Sequence, residues 1–273
     1  MKLNKELLEY ALIGGTILGG GGGGSRELGL ESGSTALSYG DVELVDISEI
    51  DDESLIVTAS SVGAPAAIEK HVKPKDYIRT IEILQENTGL KVAGIITNEN
   101  GGAATINGWI QASVLGIPLI DAPCNGRAHP TGTMGSMGLN NVEGFISNQA
   151  FAGGNPALGN YFEGFVSGNI FKSSAIVRQS AVQAGGLVAV ARNVVDAKYV
   201  KEHGAINGIS HAFDTGKAFY EGLKESPRSA IESVTKFLNG EIIAEGVVSG
   251  FNILTEGGFD SFATFIYNFF ILS

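Results

Sequence analysis

Apolar positions set the first elements of this chain. Leu7, Leu8, Ala11, Leu12 and Ile13 recur at helical spacing, and six glycines, Gly19 to Gly24, end the stripe. Ser25 suits the N-cap of a second short helix reaching about Ser38, with Glu27 in its first turn. Two strand-like runs follow, 42–47 and 55–59, and Pro65 is predicted to open a helical piece. Residues 76–87 read as a helix closed by Gly89. Residues 92–97 (VAGIIT) are almost wholly apolar, the pattern of a strand covered on both faces. A helix over 103–115 and a strand over 117–122 continue the alternation.

The texture changes beyond about 142, where Phe145, Phe151, Phe162, Phe165 and Phe171 stand among glycines and asparagines and predict strands joined by turns. Helices are expected over 173–184, 208–223 and 227–238, the last with Ser226 as cap and Pro227 as first residue. Strands are expected over 187–191, 241–248 and 262–272. The rhythm predicts an α/β fold, a mainly parallel or mixed sheet flanked by helices, with a second, smaller α/β unit. The division is placed at 1–165, carrying the glycine-rich loops, and 166–273.

Composition narrows the function classes. Glycine supplies 39 of 273 residues, about twice the usual share, which suits tight turns and close approach of backbone to a ligand. A net charge of −11 argues against nucleic acid as a partner. The single cysteine, Cys124, excludes an internal disulfide and suits a reducing cytoplasm. Nowhere is there an apolar run of about 18 residues, so no membrane association is expected. The apolar end, FATFIYNFFILS, would leave an exposed edge in a monomer, and a homo-oligomer is the expectation.

Three segments carry candidate chemistry. The glycine run lacks the Lys-Ser/Thr ending of a phosphate-binding loop and follows a helix rather than a strand. Its amides, those of Gly22, Gly23 and Gly24 above all, suit a carboxylate, an imide oxygen or a developing oxyanion. A plain helix–helix turn is the alternative. The second segment, Asn98-Glu99-Asn100-Gly101-Gly102, lies at the end of the buried strand. There Glu99 can be a general base, a metal ligand or a helix cap, and Asn98, Gly101 and Gly102 would face substrate. The third runs from Asp121 to Met134 and brings an acid, a thiol, an amide, a guanidinium and an imidazole into nine positions. Arg127 can fork a carboxylate, with Asn125 and Thr131 as further substrate contacts. His129 can relay a proton or bind a metal, Asp121 can orient it, and Cys124 is a candidate nucleophile. Capping, local pairing and simple burial are the structural alternatives for each.

Together the stretches YALIGGTILGGGGGG, VELVDISEI and LGIPLIDAPCNGRAHP resemble the S-methyl thiohydantoin desulfurase family, long catalogued as a domain of unknown function. Its Asp…Gly-Arg-Ala-x-Pro stretch corresponds to Asp121, Gly126, Arg127, Ala128 and Pro130. NGEIIAEGVVSGFNILTEGGFD resembles the start of the family's smaller, swivelling C-terminal unit, and the resemblance implies that this unit is shortened here. It also implies a hydrolase acting on a small cyclic thioamide or imide, of thiohydantoin or hydantoin type, that releases sulfide or opens the ring. Glu99, Asp121 or His129 would activate water, directly or through a divalent metal ion held by the same three residues, and Cys124 would serve a rival covalent route. The alternative is a non-catalytic module that binds a small heterocycle.

Overall fold

The computed structural model describes residues 1–257 and 259–271, and the side chains of Glu245 and of 262–271 lie outside that description. The end of the strand expected at 262–272 therefore lies outside the described residues.

The glycine run sits between helices α1 (Lys5–Leu18) and α2 (Arg26–Tyr39). Asn4 caps α1 by accepting the Leu7 N–H, and Ser25 caps α2 by accepting the Leu28 N–H. The chain continues through β1 (Leu44–Val45), β2 (Leu55–Gly63), α3 (Pro74–Thr88), β3 (Gly94–Thr97), α4 (Trp109–Leu115) and β4 (Leu119–Ile120). It then forms β5 (Ser147–Gly153), β6 (Phe162–Gly168), α5 (Ile170–Gln183), β7 (Leu187–Asp196), α6 (Ala197–His203), α7 (Gly208–Leu223) and α8 (Pro227–Phe237). A hairpin of β8 (Ala244–Glu256) and β9 (Phe259–Ile271) completes the described elements.

The fold is α/β. Seven strands form one mixed sheet in the order β1-β4-β3-β2-β7-β5-β6, and β8 and β9 form a second, two-stranded sheet. Neighbours are parallel from β1 to β2 and antiparallel from β2 to β6. Period-two alternation divides the core between the two faces of this sheet. Ala150, Ala189 and Ala191 cluster with Ile81 and Leu84 of α3, whereas Phe151, Val188 and Val190 cluster with Val177 and Ala181 of α5. Small residues on one face admit α3 closely, and larger ones on the other fill the space beneath α5.

Several elements differ from expectation for local reasons. Residues 64–73 form turns, not a helix opened by Pro65, and the helix begins at Pro74. The helix expected over 103–115 is broken, because Gly108 adopts φ +94 between a 3₁₀ turn at Ala104–Ile106 and α4. The strands expected over 42–47 and 117–122 contract to two residues each, paired with one another. Asp196 caps α6 by accepting the Tyr199 N–H at 2.7 Å. The hairpin is tied back to the main body: Asp260 Oδ2 accepts the Ala66 N–H at 2.8 Å, and the Arg178 guanidinium lies 4.0 Å from the Phe259 ring centre. Among the described residues no helix is long and apolar enough to cross a membrane.

Candidate functional site

A cavity of about 490 Å³ opens beyond the carboxyl ends of β2 and β3, where ligands bind in open α/β sheets. Its walls come from the glycine run, the turns around Asn98 and Asn107, the loop from Ala128 to Gly132, and Phe251 and Phe259 of the hairpin.

The glycine run is a built turn rather than slack chain. The amides of Gly19, Gly20, Gly21 and Gly22 donate to carbonyls of Gly15, Ile17, Thr16 and Gly19. The carbonyls of Gly22 and Gly23 accept the amides of Gly102, Ala103 and Ala104, so the run lies flat against the 101–104 turn. Gly23 adopts φ +78, and a Cβ there would stand 2.6 Å from the Gly101 Cα. Gly101 and Gly102 thus support the glycine run from behind instead of lining the cavity. Of the amides expected to meet a ligand, that of Gly22 is already donated, while the N–H groups of Gly23 and Gly24 meet no acceptor among the described residues.

Glu99 and His129 come together at the cavity wall. Glu99 Oε2 accepts the backbone N–H of His129 at 2.9 Å and lies 3.1 Å from its Nε2, leaving Oε1 outside both contacts. Both side chains are buried. Burial pushes the Glu99 carboxyl up to about 7, against the opposing pull of the His129 amide and the Arg192 charge. Burial, followed by the positive charge of Arg192, pushes His129 down to about 4, so its imidazole is neutral near pH 7. Asn98 lines the same wall, its Oδ1 accepting from Asn107 Nδ2 at 2.9 Å, and Thr131 lines the cavity from the loop that carries His129.

The other residues singled out in the 121–131 segment lie elsewhere. Asp121 caps α7: its carboxylate accepts the amides of Ile209 at 2.7 Å and Ser210 at 3.3 Å and the Ser210 hydroxyl. It therefore neither orients His129 nor shares a metal with it. Among the described residues no group of three or more His, Cys, Asp or Glu side chains is placed to hold a metal ion. Cys124 is buried behind the cavity with its Sγ 3.2 Å from Thr58 Oγ1, and burial pushes its thiol up to about 11, which disfavours a thiolate. Arg127 is exposed and stands outside the cavity lining. Asn125 accepts the Asn100 N–H through its carbonyl and the Arg127 N–H through its Oδ1, a role in shaping the loop.

Two buried polar residues of the lining went unrecognised in the sequence. Arg192 of β7 is 2% exposed, and its Nε has no hydrogen-bond partner among the described residues. Burial holds its guanidinium below the ordinary value, while the charges of Cys124 and Glu99 oppose that fall. It rests against Gly132, where a Cβ would stand 2.5 Å from Nη1. Gln111 of α4 is 1% exposed with both amide atoms unpartnered. Each had a signal: Arg192 interrupts the apolar run LVAVARNVV, and Gln111 interrupts WIQA.

Comparison with known proteins agrees with this architecture. The S-Me-THD-like N-terminal domain matches residues 6–157, and the S-Me-THD-like C-terminal domain matches 169–269. The C-terminal domain is therefore present, where a shortened one was expected. No curated protein matches the chain. A crystal structure of a protein from Chromobacterium violaceum shares the fold, with a TM-score of 0.69 and 21% identity, over 98% of this chain and 75% of that one. On the two domain matches, this chain belongs to the S-Me-THD-like family.

Proposed function

We propose that the cavity takes a small cyclic thioamide or imide and hydrolyses it with water activated by Glu99. The observation that carries this reading is a buried carboxylate, pushed up to about 7, in the same cavity lining as the buried guanidinium of Arg192, whose charge acts on it. A base in that range is half ionised near neutral pH and still strong enough to take a proton from water in the transition state. The cation supplies a fixed positive charge where water is largely excluded, which suits an anion that develops on sulfur or oxygen.

For a thioamide the steps balance simply. Glu99 takes one proton of water as its oxygen bonds to the thiocarbonyl carbon, and charge moves to sulfur near Arg192. Glu99 then returns its proton to sulfur, and collapse of the tetrahedral centre breaks the carbon–sulfur bond, so that hydrosulfide leaves while the remaining hydroxyl proton passes to solvent and the carbonyl forms. The free amides of Gly23 and Gly24 are suited to a ring oxygen. The backbone N–H of His129 holds Glu99 in place through its bond to Oε2.

A panel of 2-thiohydantoins, hydantoins and cyclic imides tests this reading. Sulfide or ring-opened product is the expected outcome. Binding without product would replace the enzyme reading by that of a heterocycle-binding module, and thermal stabilisation by ATP alone would overturn both.

A further inference from the structure

Gln111 is the feature of the cavity that its catalytic chemistry leaves unexplained. The side chain is 1% exposed, lines the cavity, and has neither a donor for its Oε1 nor an acceptor for its Nε2. Apolar neighbours Ile106 and Ile110 line the same wall. Tyr77 and Ser61 line it too, but their hydroxyls lie 3.4 Å from one another. Unpaired buried amide groups are costly, and native proteins retain them where something else completes the bonds.

We infer that Gln111 is the specificity-determining residue for the ring, pairing in two parallel hydrogen bonds with a ring edge that presents N–H beside C=O or C=S. The Gln111 Oε1 accepts the ring N–H, and its Nε2 donates to the adjacent ring oxygen or sulfur. A side-chain carboxamide reads nucleobase edges in this two-bond fashion. The geometry also separates rings from chains. An open secondary amide is trans, so its N–H and C=O point in opposite directions. Among secondary amides, only a ring small enough to enforce the cis arrangement offers both on one edge. Gln111 thereby favours the closed ring over peptides. This inference rests on the cyclic-amide reading above but concerns recognition, not hydrolysis.

Equilibrium binding of hydantoin and of 1,3-dimethylhydantoin, measured on the wild-type chain and on Gln111→Met and Gln111→Glu, tests it. Methylation removes both ring donors, so wild type is expected to bind the dimethyl compound about 10- to 100-fold more weakly, the factor for one buried group left unpaired. Gln111→Met is expected to bind the two compounds alike and to melt at a higher temperature than wild type, since it removes an unpaired buried group. Gln111→Glu, which keeps shape and loses the amide donor, is expected to weaken hydantoin binding while remaining folded. Equal affinity of wild type for the two compounds, discrimination that survives in Gln111→Met, or no binding of hydantoin at all would each overturn the inference. Discrimination without turnover would sink the hydrolytic reading and leave this one standing, whereas turnover without discrimination would do the reverse.

Discussion

Glu99 Oε2 accepts the backbone N–H of His129 at 2.9 Å and lies 3.1 Å from Nε2 of the same histidine, a nitrogen that also stands 3.4 Å from the Asn98 carbonyl oxygen. The pair places the carboxyl at about 7 and the imidazole at about 4, an inversion of their ordinary order caused first by burial of each. If Glu99 is the base, kcat/KM for sulfide release rises with pH through a midpoint near 7. If His129 were the base, the same limb would lie near 4. A pH–rate profile between 4 and 9 separates the two assignments.

The same inversion has a stability signature with a definite sign. The folded state favours neutral Glu99, so its contribution falls as pH rises from about 4.5, the unfolded value, to about 7. The folded state also favours neutral His129, whose contribution falls as pH drops from about 6.5 to about 4. Glu99→Gln removes only the first effect. The variant is expected to be more stable than wild type at pH 8, by an amount on the order of 2 to 3 kcal/mol, with the gap closing toward pH 4.5. Denaturant unfolding at the two pH values measures it.

Gly23→Ala tests whether the glycine run is a built wall. The new methyl meets the Gly101 Cα at 2.6 Å in a left-handed backbone conformation. Strain and overpacking together are expected to cost about 2 to 4 kcal/mol. Gly20→Ala is the control: it shares the positive φ but has open space around its Cβ, so only the smaller strain cost is expected. Equal losses in both would show that close packing against Gly101 contributes nothing.

Cys124→Ala is expected to leave turnover unchanged and to cost about 1 kcal/mol of stability through the lost contact with Thr58. A loss of turnover of a hundredfold or more in a folded variant would revive the covalent thiolate route.

Much of this was legible along the chain because local signals decide it. Caps at Asn4 and Ser25, the left-handed Gly89 after α3 and the apolar run of β3 each act within a few residues. Glu99 and His129 were visible because strand-end loops are where α/β sheets bind ligands. Roles that depend on distant chain were not visible. Asp121 caps a helix that begins 87 residues later at Gly208, and Cys124 is silenced by burial, against the opposing pull of Thr58. Arg127 looked like the natural anion clamp from its neighbours in sequence, yet Arg178 and Arg192 are the arginines that line the cavity, and Arg192, on a strand antiparallel to β2, is the buried one. Exposure of Arg127 and burial of Arg192 follow from tertiary packing, which no local pattern carries.

The most direct test of the account is sulfide release from a 2-thiohydantoin by wild type and by Glu99→Gln, with binding of the ring measured in parallel. A general base contributes about 10²- to 10⁴-fold to rate. The expected result is a loss of that size in the variant, with the fold and ring binding retained. Near-wild-type sulfide release from a folded Glu99→Gln would contradict the assignment of this cavity and its carboxylate as the catalytic centre.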